Sequence, residues 1–318
     1  MLLQVKNLKA YFPIKGGILS NTSGQVKAVD DISLNIERGE TVGLVGESGS
    51  GKSTLGRAIL QLVSLSGGLV RFNDVPYNSS RKDAKKVQMI FQDPLSSLNP
   101  RMTVGAAIAE VLKHHKLVPR NKVMHRVKEL FRMVELSPEY IHRYPHELSG
   151  GQCQRVGIAR ALSVEPELII CDEIVSALDV SVQAQIINLL KKLQKDKKLS
   201  YLFISHDLAV VRQIAHRIAV MYCGKIVEYG DVNSIILTPF HPYTKALITI
   251  AGEKGHLKDI MKPGDIANPA NLPEGCHFHP RCPVKDREDK LPDICKKLYP
   301  DLIEKIEGHF VACFQQRK

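Results

Sequence analysis

The feature that most constrains this chain is a glycine-rich run of nine residues that follows a short apolar segment. Its members are Gly46, Glu47, Ser48, Gly49, Ser50, Gly51, Lys52, Ser53 and Thr54. The spacing G-x-x-x-x-G-K-[ST] predicts a loop whose backbone N–H groups point at phosphate oxygens, with the Lys52 ammonium on the outer phosphates and the Ser53 hydroxyl on Mg²⁺. Residues 41–45 predict a buried strand before this phosphate loop, and 53–63 a helix after it, so the phosphates would lie at a helix N-terminus.

Length and composition are those of a globular protein. The 318 residues suffice for about two domains with a large buried core. No apolar run approaches the roughly 18 residues that a membrane span needs, and residues 1–6 are too few and too polar for a signal peptide. We therefore predict a cytoplasmic protein whose action at a membrane depends on separate membrane partners.

The chain is basic, with 44 Lys and Arg against 33 Asp and Glu and a formal net charge of +11. Such an excess permits a nucleic acid or an anionic membrane surface as a partner. The basic residues are scattered, with clusters at 81–86, 120–132 and 191–198. We predict solvated helix faces with a general attraction to anionic lipid, and no nucleic acid partner.

Strand and helix patterns alternate along most of the chain. Residues 2–8 and 26–36 alternate apolar and polar side chains, whereas 87–91, 168–171 and 201–204 are short apolar runs. Segments with helical spacing lie between the later runs. This alternation predicts an α/β fold with a parallel core.

Two regions depart from the alternation. Helical spacing over residues 104–117 and 121–136 indicates a helical subdomain, inserted at about 93–165 into a nucleotide-binding domain that spans 1–238. From residue 239 onward, proline, cysteine and charged residues predict a small, loop-rich C-terminal extension, 239–318.

Two acidic residues, Asp172 and Glu173, follow the apolar run at 168–171. Open α/β sheets bind ligands at the carboxyl ends of their strands, where these carboxylates would lie. We predict that Asp172 holds Mg²⁺ through water and that Glu173 orients and polarises an attacking water.

A further motif is Leu148-Ser-Gly-Gly-Gln, which leads into a predicted helix at residues 153–162. The Ser149 side chain and the amides of Gly150 and Gly151 would offer hydrogen-bond donors at the positive end of the helix dipole. The motif therefore suits contact with a γ-phosphate.

Five motifs occur here in the order seen in ATP-binding-cassette (ABC) ATPases, and the chain resembles that family. They are the phosphate loop, the Leu-Ser-Gly-Gly-Gln segment that ends at Gln152, the acidic pair, Ser-Ala-Leu-Asp179 and a strand-final His206. The resemblance implies ATP and Mg²⁺ as cofactors and ATP hydrolysis as the activity. It also implies that two cassettes pair head to tail, each ATP lying between the phosphate loop of one and the Ser149 segment of the other.

The same resemblance implies roles for single residues. Gln92 would contact Mg²⁺ and the attacking water, and residues 93–100 would face a transmembrane subunit. His206 would contact the γ-phosphate, Asp179 the partner cassette, and Tyr11 would stack on adenine.

The chain departs from the pattern of this family in three places. Ile174 stands where many relatives have proline, and Cys153 where Arg or Lys is frequent. A glycine- and serine-containing insert, predicted as a loop at 16–24, lengthens the usual spacing after Tyr11, and Phe12 is adjacent to that tyrosine. We expect the core chemistry to tolerate the first two changes.

Seven cysteines divide into two groups. Cys153, Cys171 and Cys223 are isolated, and we predict that they are packing residues in a reducing compartment. The other four are Cys276, Cys282, Cys295 and Cys313. Four thiolates suit zinc or an iron–sulfur cluster, while the lack of a C-x2-C pair argues against a zinc finger. Unmetallated thiols remain an alternative, as does a mixed zinc site that includes His277, His279 or His309.

The segments around these cysteines, which begin at His241, Cys276 and His309, resemble the C-terminal extension of oligopeptide/dipeptide-importer ATPases, more closely the F-type subunit. The resemblance implies a [4Fe–4S] cluster on the four cysteines, as in some members. It also implies an energy-coupling ATPase at the cytoplasmic face of the cell membrane, as a peripheral subunit. Its partners would be a second, paralogous ATPase, two transmembrane permeases and, indirectly, an extracytoplasmic peptide-binding protein.

Two alternatives stay open at this point. The cargo could be nickel or another metal chelate, because the binding protein and the permeases select it. A soluble, nucleic-acid-associated ABC ATPase is the other alternative, and the lack of a long coiled-coil insertion or a second cassette argues against it.

Overall fold

A computed structural model describes the protein over residues 1–14, 24–78, 83–251, 269–283 and 293–316. The predicted loop at 16–24 lies outside these residues apart from Gly24. The described strands are β1 (Leu3–Pro13), β2 (Gln25–Ile36), β3 (Thr41–Val45), β4 (Gly67–Phe72), β5 (Val75–Pro76), β6 (Val87–Ile90), β7 (Leu168–Asp172), β8 (Ser200–Ser205), β9 (Arg217–Tyr222), β10 (Lys225–Asp231), β11 (Ile303–Ile306) and β12 (His309–Val311).

The described α-helices range from one turn to five turns. They are α1 (Lys52–Ile59), α2 (Asp83–Lys86), α3 (Val104–His114), α4 (Val123–Met133), α5 (Gly150–Leu162), α6 (Val180–Lys197), α7 (Leu208–Ile214), α8 (Val232–Leu237), α9 (Pro242–Ala251) and α10 (Ile294–Lys297). Short 3₁₀ turns cover Arg120–Lys122, Pro138–His142, Pro145–Glu147, His279–Arg281 and Phe314–Gln316.

The chain divides into two compact units. The first consists of Met1–Glu37, Thr41–Tyr77 and Ile204–Lys318, and the second of Arg38–Glu40 and Asn78–Phe203. Each unit is built from segments that are separated in the sequence, so neither is continuous along the chain.

The first unit contains an antiparallel sheet and a mixed group of strands. The sheet has the order β2-β1-β4-β5. The other strands follow the order β11-β12-β10-β9-β3, in which β3 and β9 are parallel and the remaining pairs antiparallel. Every residue of β3 is buried, as its apolar sequence predicts. Helix α7 packs against β3 so closely that a Cβ at Gly43 would lie 2.2 Å from Cγ1 of Val211.

The second unit combines the strand order β8-β7-β6 with a group of helices. Strands β6 and β7 are parallel, and every residue of β7 is buried, which is typical of a strand covered on both faces. Helices α3, α4 and α5 pack on one another through buried aliphatic side chains such as Ile108, Val127 and Val156. The helical spacing of the sequence predicted α3 and α4, but α3 ends at His114 because Lys116 adopts a left-handed conformation with φ 52°.

Two other predicted helix boundaries were wrong. The helix after the phosphate loop ends at Ile59 rather than at residue 63, because Gln61 has a φ of 55°. Helix α5 begins at Gly150 rather than at residue 153. The extension is less loop-rich than its composition indicates, since α9 forms a helix of 10 residues within it.

A buried carboxylate joins the C-terminal extension to β10. Glu228 is fully buried and accepts hydrogen bonds from the backbone N–H groups of Phe240 (2.7 Å) and His241 (2.9 Å). Nε2 of His309, on β12, lies 2.7 Å from Oε1 of the same carboxylate. Because β12 also pairs with β10 in the sheet, Glu228 connects the strand, the start of α9 and the end of the extension.

We predict that Glu228→Ala lowers the free energy of unfolding by about 3 kcal/mol or more, since it removes a buried carboxylate that accepts the Phe240 and His241 N–H groups and lies beside His309. Denaturation in urea, followed by circular dichroism, measures this change. The exposed Glu307→Ala is the matched control and should shift stability by less than about 0.5 kcal/mol. Equal effects of the two substitutions would show that Glu228 does not hold the extension.

Candidate functional site

The phosphate loop connects β3 to α1. Two of its glycines, Gly46 and Gly51, cannot be replaced by another residue without displacing neighbouring atoms. Gly46 has a φ of 155°, and a Cβ added there would lie 2.1 Å from the carbonyl oxygen of Met221. Gly51, the N-cap of α1, has a φ of 103°, and its Cβ would lie 2.0 Å from the carbonyl oxygen of Ala28. The loop is therefore fixed from outside by backbone, which lets its own N–H groups face a ligand.

Lys52, the first residue of α1, has a buried side chain that turns back over the loop. Its Nζ donates hydrogen bonds to the carbonyl oxygens of Gly46 (2.8 Å) and Glu47 (2.9 Å). An ammonium group at the N-terminus of a helix adds to the positive end of the helix dipole. The first unit thus places a positive charge and a helix N-terminus at this loop, as an anion-binding site requires.

His206 follows β8 and is exposed, and its two neighbours form local hydrogen bonds. The Ser205 hydroxyl accepts a hydrogen bond from the Asp207 N–H at 3.0 Å. The Asp207 carboxylate caps α7 by accepting from the N–H groups of Ala209 and Val210. The Ser-His-Asp sequence therefore forms a helix cap that presents the histidine ring outward.

Tyr11 lies on β1 with its ring half-buried and its hydroxyl fixed. The hydroxyl donates to Oδ1 of Asp30, and burial together with this carboxylate raises the pKa of the phenol. Nζ of Lys27 lies 5.8 Å from the ring centroid, on one face of the ring. The adjacent Phe12 is 37% exposed. The stacking of Tyr11 on adenine stays a prediction.

Gln92 and Glu173, in the second unit, are joined directly. Nε2 of Gln92 donates to Oε2 of Glu173 at 3.1 Å. Asp172 is buried at the carboxyl end of β7, and Glu173 follows it with a φ of 48°. A left-handed conformation is uncommon for a residue other than glycine and is concentrated at functional sites. The Glu173 carboxylate lies within hydrogen-bonding distance of Gln92, the second residue after β6.

The turn after Glu173 forms without the proline that many relatives of the family carry. The N–H and the hydroxyl of Ser176 both donate to the Glu173 carbonyl oxygen, at 3.1 and 2.8 Å. Ile174 is 2% exposed and packs into the core. Local hydrogen bonds and burial therefore fix this turn, so the substitution by isoleucine leaves the carboxylates in place.

The Leu-Ser-Gly-Gly-Gln segment begins α5 with a capping box. Ser149 is the N-cap, and its hydroxyl accepts the Gln152 N–H at 3.3 Å while the Gln152 side chain accepts the Ser149 N–H at 2.9 Å. The glycines thus form the first helical turn rather than precede it. A Cβ at Gly151 would lie 2.5 Å from Cγ1 of Val182, so α6 requires a glycine there. Ser149 and Gly150 are exposed, as is Asp179 at the start of α6.

The four cysteines of the extension line one small cavity of about 20 Å³ in the first unit. Its other lining residues are His241, Pro242, Phe278, His279, Pro300, Phe314 and Gln315. Burial, with the neighbouring cysteines, raises the pKa of the Cys276 thiol to about 12, and burial with Cys313 raises that of Cys295. Among the described residues, however, no group of three or more His, Cys, Asp or Glu side chains is arranged to hold a metal ion.

The donor chemistry of this cavity suits iron or zinc, but its present geometry is not that of a ligated site. Of the histidines considered for a mixed site, only His279 is among the residues that line the cavity. His309 is paired with Glu228, and Nδ1 of His277 lies 3.3 Å from the carbonyl oxygen of Cys223.

The isolated cysteines are packing residues, as predicted. Cys153, Cys171 and Cys223 are each at most 3% exposed. Burial raises the pKa of all three thiols, and that of Cys223 reaches about 11. Neutral thiols in apolar surroundings are unreactive.

No local sequence pattern singles out Tyr243 and Arg281, yet both contact the phosphate loop. The Tyr243 hydroxyl accepts the N–H of Glu47 at 2.8 Å. The Arg281 guanidinium forms two hydrogen bonds with the Glu47 carboxylate, at 2.9 and 3.1 Å. Both residues fall in segments noted for their resemblance to a C-terminal extension, but a contact across about 200 residues has no local sequence signal.

None of the helices in the described part of the chain combines the length and the hydrophobicity that a membrane crossing requires.

Two known families match separate parts of the chain. The family described as "ABC transporter" matches residues 29–176, and "Oligopeptide/dipeptide transporter, C-terminal region" matches 227–288. The first match contains the phosphate loop, Gln92, Ser149 and Glu173. The second contains Tyr243 and Arg281.

Relatives at the level of whole chains carry related names. The oligopeptide transport ATP-binding protein AppF of Bacillus subtilis (strain 168) is 46% identical, over 98% of this chain and 96% of its own length. The oligopeptide transport ATP-binding protein OppF of Escherichia coli (strain K12) is also 46% identical, over 99% of this chain and 96% of its own.

Solved structures match about three quarters of the chain at lower identity. A dimeric, post-hydrolysis state of the ATP-binding cassette MJ0796 bound to ADP and Pi aligns with a TM-score of 0.64 and 28% identity, over 73% of this chain and 99% of that one. The structure of cbiO1 from Clostridium perfringens, part of the ABC transporter complex cbiONQ, aligns with a TM-score of 0.64 and 26% identity, over 74% and 91%.

We predict that Gly46→Ala weakens the binding of ATP by at least about tenfold, because its Cβ would displace the loop at an overpacking cost of roughly 1–3 kcal/mol. Isothermal titration calorimetry with ATP and Mg²⁺ measures this loss. Gly49→Ala is the matched variant: it also has a positive φ, of 80°, but its Cβ meets nothing within 4 Å. We expect a smaller loss there, and an equal loss would attribute the effect to backbone strain rather than to the contact with Met221.

Proposed function

The chain belongs to the ABC transporter family, as an ATP-hydrolysing subunit of an oligopeptide or dipeptide importer, and we propose which of its residues bind ATP and which take part in its hydrolysis. The fold is that of an ABC cassette, with a mixed β-sheet and a phosphate loop. ATP and Mg²⁺ are the cofactors of this class of ATPase.

We propose that ATP binds along the phosphate loop with its adenine on Tyr11. The loop N–H groups and Lys52 would hold the phosphates. The close backbone contacts of Gly46 and Gly51 and the position of the Lys52 ammonium support this assignment. Ser53, Gln92 and Asp172 would serve Mg²⁺, since hydroxyl, amide and carboxylate oxygens are the donors that this ion prefers. When bound, Mg²⁺ offsets negative charge on the phosphates.

Glu173 is the proposed group that orients and polarises the attacking water. The observation that carries this proposal is its hydrogen bond with Gln92 at the end of β7, in a left-handed conformation that aims the side chain. The carboxylate would accept a proton from the water as the water oxygen bonds to the γ-phosphorus. The bond between that phosphorus and the β,γ-bridging oxygen would break in the same step, so that ADP is the leaving group, while His206 contacts the γ-phosphate.

A second cassette would complete the site. We propose a head-to-tail pair, with Ser149, Gly150, Gly151 and Gln152 of one cassette on the γ-phosphate held by the other and Asp179 at the seam. The exposure of Ser149, Gly150 and Asp179 supports this proposal, as does the dimeric state named for a similar solved cassette. The second cassette is proposed to be a paralogue, which gives a heterodimer.

ABC importers of oligopeptides work with permease subunits and a binding protein. For this chain we propose two transmembrane permeases as direct partners and an extracytoplasmic peptide-binding protein as an indirect one. Residues 93–100 would face a permease, so that Gln92 couples chemistry to movement. The chain would then lie at the cytoplasmic face of the cell membrane as a peripheral subunit, without a nucleic acid partner.

A related proposal concerns the domains of the chain. Residues 1–238 would form the ATPase domain, with a helical subdomain at about 93–165, and 239–318 a separate extension with the four cysteines. Matches of two different families to residues 29–176 and 227–288 support two functional parts.

We also propose that Cys276, Cys282, Cys295 and Cys313 hold a [4Fe–4S] cluster. Their convergence on one cavity supports this, and the charge of iron would stabilise thiolates that burial and mutual repulsion now disfavour. The side chains would have to reorient, because the described residues form no ligand group as they stand. When bound, the cluster supplies covalent cross-links between these segments of the extension.

For hydrolysis, we predict that Glu173→Gln lowers kcat by about 10²-fold or more, as loss of a general base does, while ATP still binds and the ATP-bound dimer persists. Steady-state ATPase assays and size-exclusion chromatography with ATP measure the two effects. Lys52→Ala should instead weaken nucleotide binding itself. Glu165→Gln, which changes the same charge at an exposed residue paired with Arg126, is the control. Unchanged turnover in Glu173→Gln would remove Glu173 from its role.

For the cluster, we predict that protein purified without oxygen is brown and contains about four irons per chain. Iron analysis and absorption spectroscopy measure this. A Cys276→Ser, Cys313→Ser variant should lose both colour and iron, whereas Cys171→Ala, the control for loss of a buried thiol, should keep them. Colourless protein with zinc, or with no metal, would contradict the proposal.

A further inference from the structure

The phosphate loop contains a carboxylate that its proposed ligand would repel. Glu47 is the second residue of the loop, and its side chain is only 13% exposed. ATP brings several negative charges to the same loop, and like charges within a few ångströms repel each other strongly where water is scarce. A bare Glu47 carboxylate would therefore oppose the binding that the surrounding N–H groups and Lys52 favour.

Arg281 of the extension neutralises this carboxylate. Its Nη1 and Nη2 donate to the two carboxylate oxygens of Glu47, at 2.9 and 3.1 Å, and its side chain is 8% exposed. Such a two-point pair of arginine with a carboxylate fixes orientation as well as charge. Because both groups are largely buried, salt screens the pair little.

Hydrogen bonds also hold the backbone of Glu47, both at its N–H group and at its carbonyl oxygen. The Tyr243 hydroxyl accepts its N–H at 2.8 Å. Its carbonyl oxygen accepts hydrogen bonds from Lys52 Nζ at 2.9 Å and from the Ser50 N–H at 3.2 Å. Glu47 thus connects the extension, through Tyr243 and Arg281, to the lysine that would contact the phosphates.

Aromatic packing holds the arginine in position. The rings of Tyr222, Tyr243 and Phe278 lie within 5.5 Å of one another, centroid to centroid, and Arg281 Nη1 also lies 3.4 Å from the Tyr222 hydroxyl. The Nε of Arg281 is buried and has no hydrogen-bond partner within the described residues. The guanidinium is therefore enclosed and directed at Glu47.

The geometry points to Arg281 as a positioning residue for ATP binding. Its guanidinium neutralises the Glu47 carboxylate and holds the start of the phosphate loop where the loop N–H groups can contact phosphate. This inference rests on the proposed function of that loop. It assigns to the C-terminal extension a direct part in nucleotide affinity. Arg281 acts only through Glu47, so it should affect the binding of ATP rather than the bond-breaking step.

The test is Arg281→Met in the full chain, measured by ATP titration calorimetry and by steady-state ATPase assays. We expect the Kd and KM for ATP to rise about tenfold, equivalent to ~1.4 kcal/mol, with kcat changed less than about twofold. Arg281→Lys keeps the charge but not the two-point contact, and should raise both constants by about threefold. Should R281M fail to fold, R281K carries the test.

A second variant separates charge from packing. E47Q/R281M removes both charges and should recover most of the affinity that R281M loses, whereas a merely structural role predicts no recovery. Arg38→Met is the matched control, because Arg38 forms an exposed ion pair with Glu167 and belongs to no nucleotide motif.

An unchanged Kd and KM in folded R281M or R281K, or a drop in kcat alone, would overturn the inference. So would an E47Q/R281M variant as weak as R281M. Wild-type protein that neither binds nor hydrolyses ATP would instead overturn the proposed function. The two failures are therefore distinguishable.

Discussion

The first unit depends on the close approach of backbone to the phosphate loop. The carbonyl oxygens of Met221 and Ala28 occupy the space that side chains at Gly46 and Gly51 would need. Met221 lies on β9 and Ala28 on β2, so the conformation of the loop depends on the positions of these two strands. It also explains the form of the site: with no side chains on that face, the loop can turn its N–H groups toward a polyanion at the N-terminus of α1. The lysine and the helix dipole then add charge to a shape that backbone packing has already set.

The C-terminal extension is bound into the same unit by buried polar contacts. Glu228 accepts three hydrogen bonds that join β10 to α9 and β12. Tyr243 and Arg281 continue this connection to Glu47. Each of these polar groups is enclosed, so each contact is specific: a displaced partner would leave a buried charge or an unpaired N–H group. The extension thus has a physical route by which its state can influence the loop.

In the second unit, the proposed catalytic groups lie at the ends of strands and helices. Strand β7 ends at buried Asp172, and the left-handed Glu173 directs its carboxylate to Gln92. Ser149 caps α5, and the missing side chain of Gly151 lets Val182 of α6 approach. Local turns, held by packing and by hydrogen bonds, keep these small polar groups at defined positions. Flexible side chains alone could not do this.

Sequence reasoning alone predicted the α/β class, the phosphate loop, the buried strands β3, β7 and β8 and the existence of α3 to α6, because these follow from local spacing and from glycine chemistry. It also determined the family, since ordered motifs are local. Tertiary structure alone decided where α1 and α3 end, since Gln61 and Lys116 adopt left-handed conformations. It alone decided the hydrogen bond of Gln92 with Glu173, the convergence of four spaced cysteines on one cavity, and the pairing of Arg281 with Glu47. The physical reason is that such contacts join residues tens to hundreds of positions apart, whose separation in space is set by the packing of the whole chain and leaves no periodic signal.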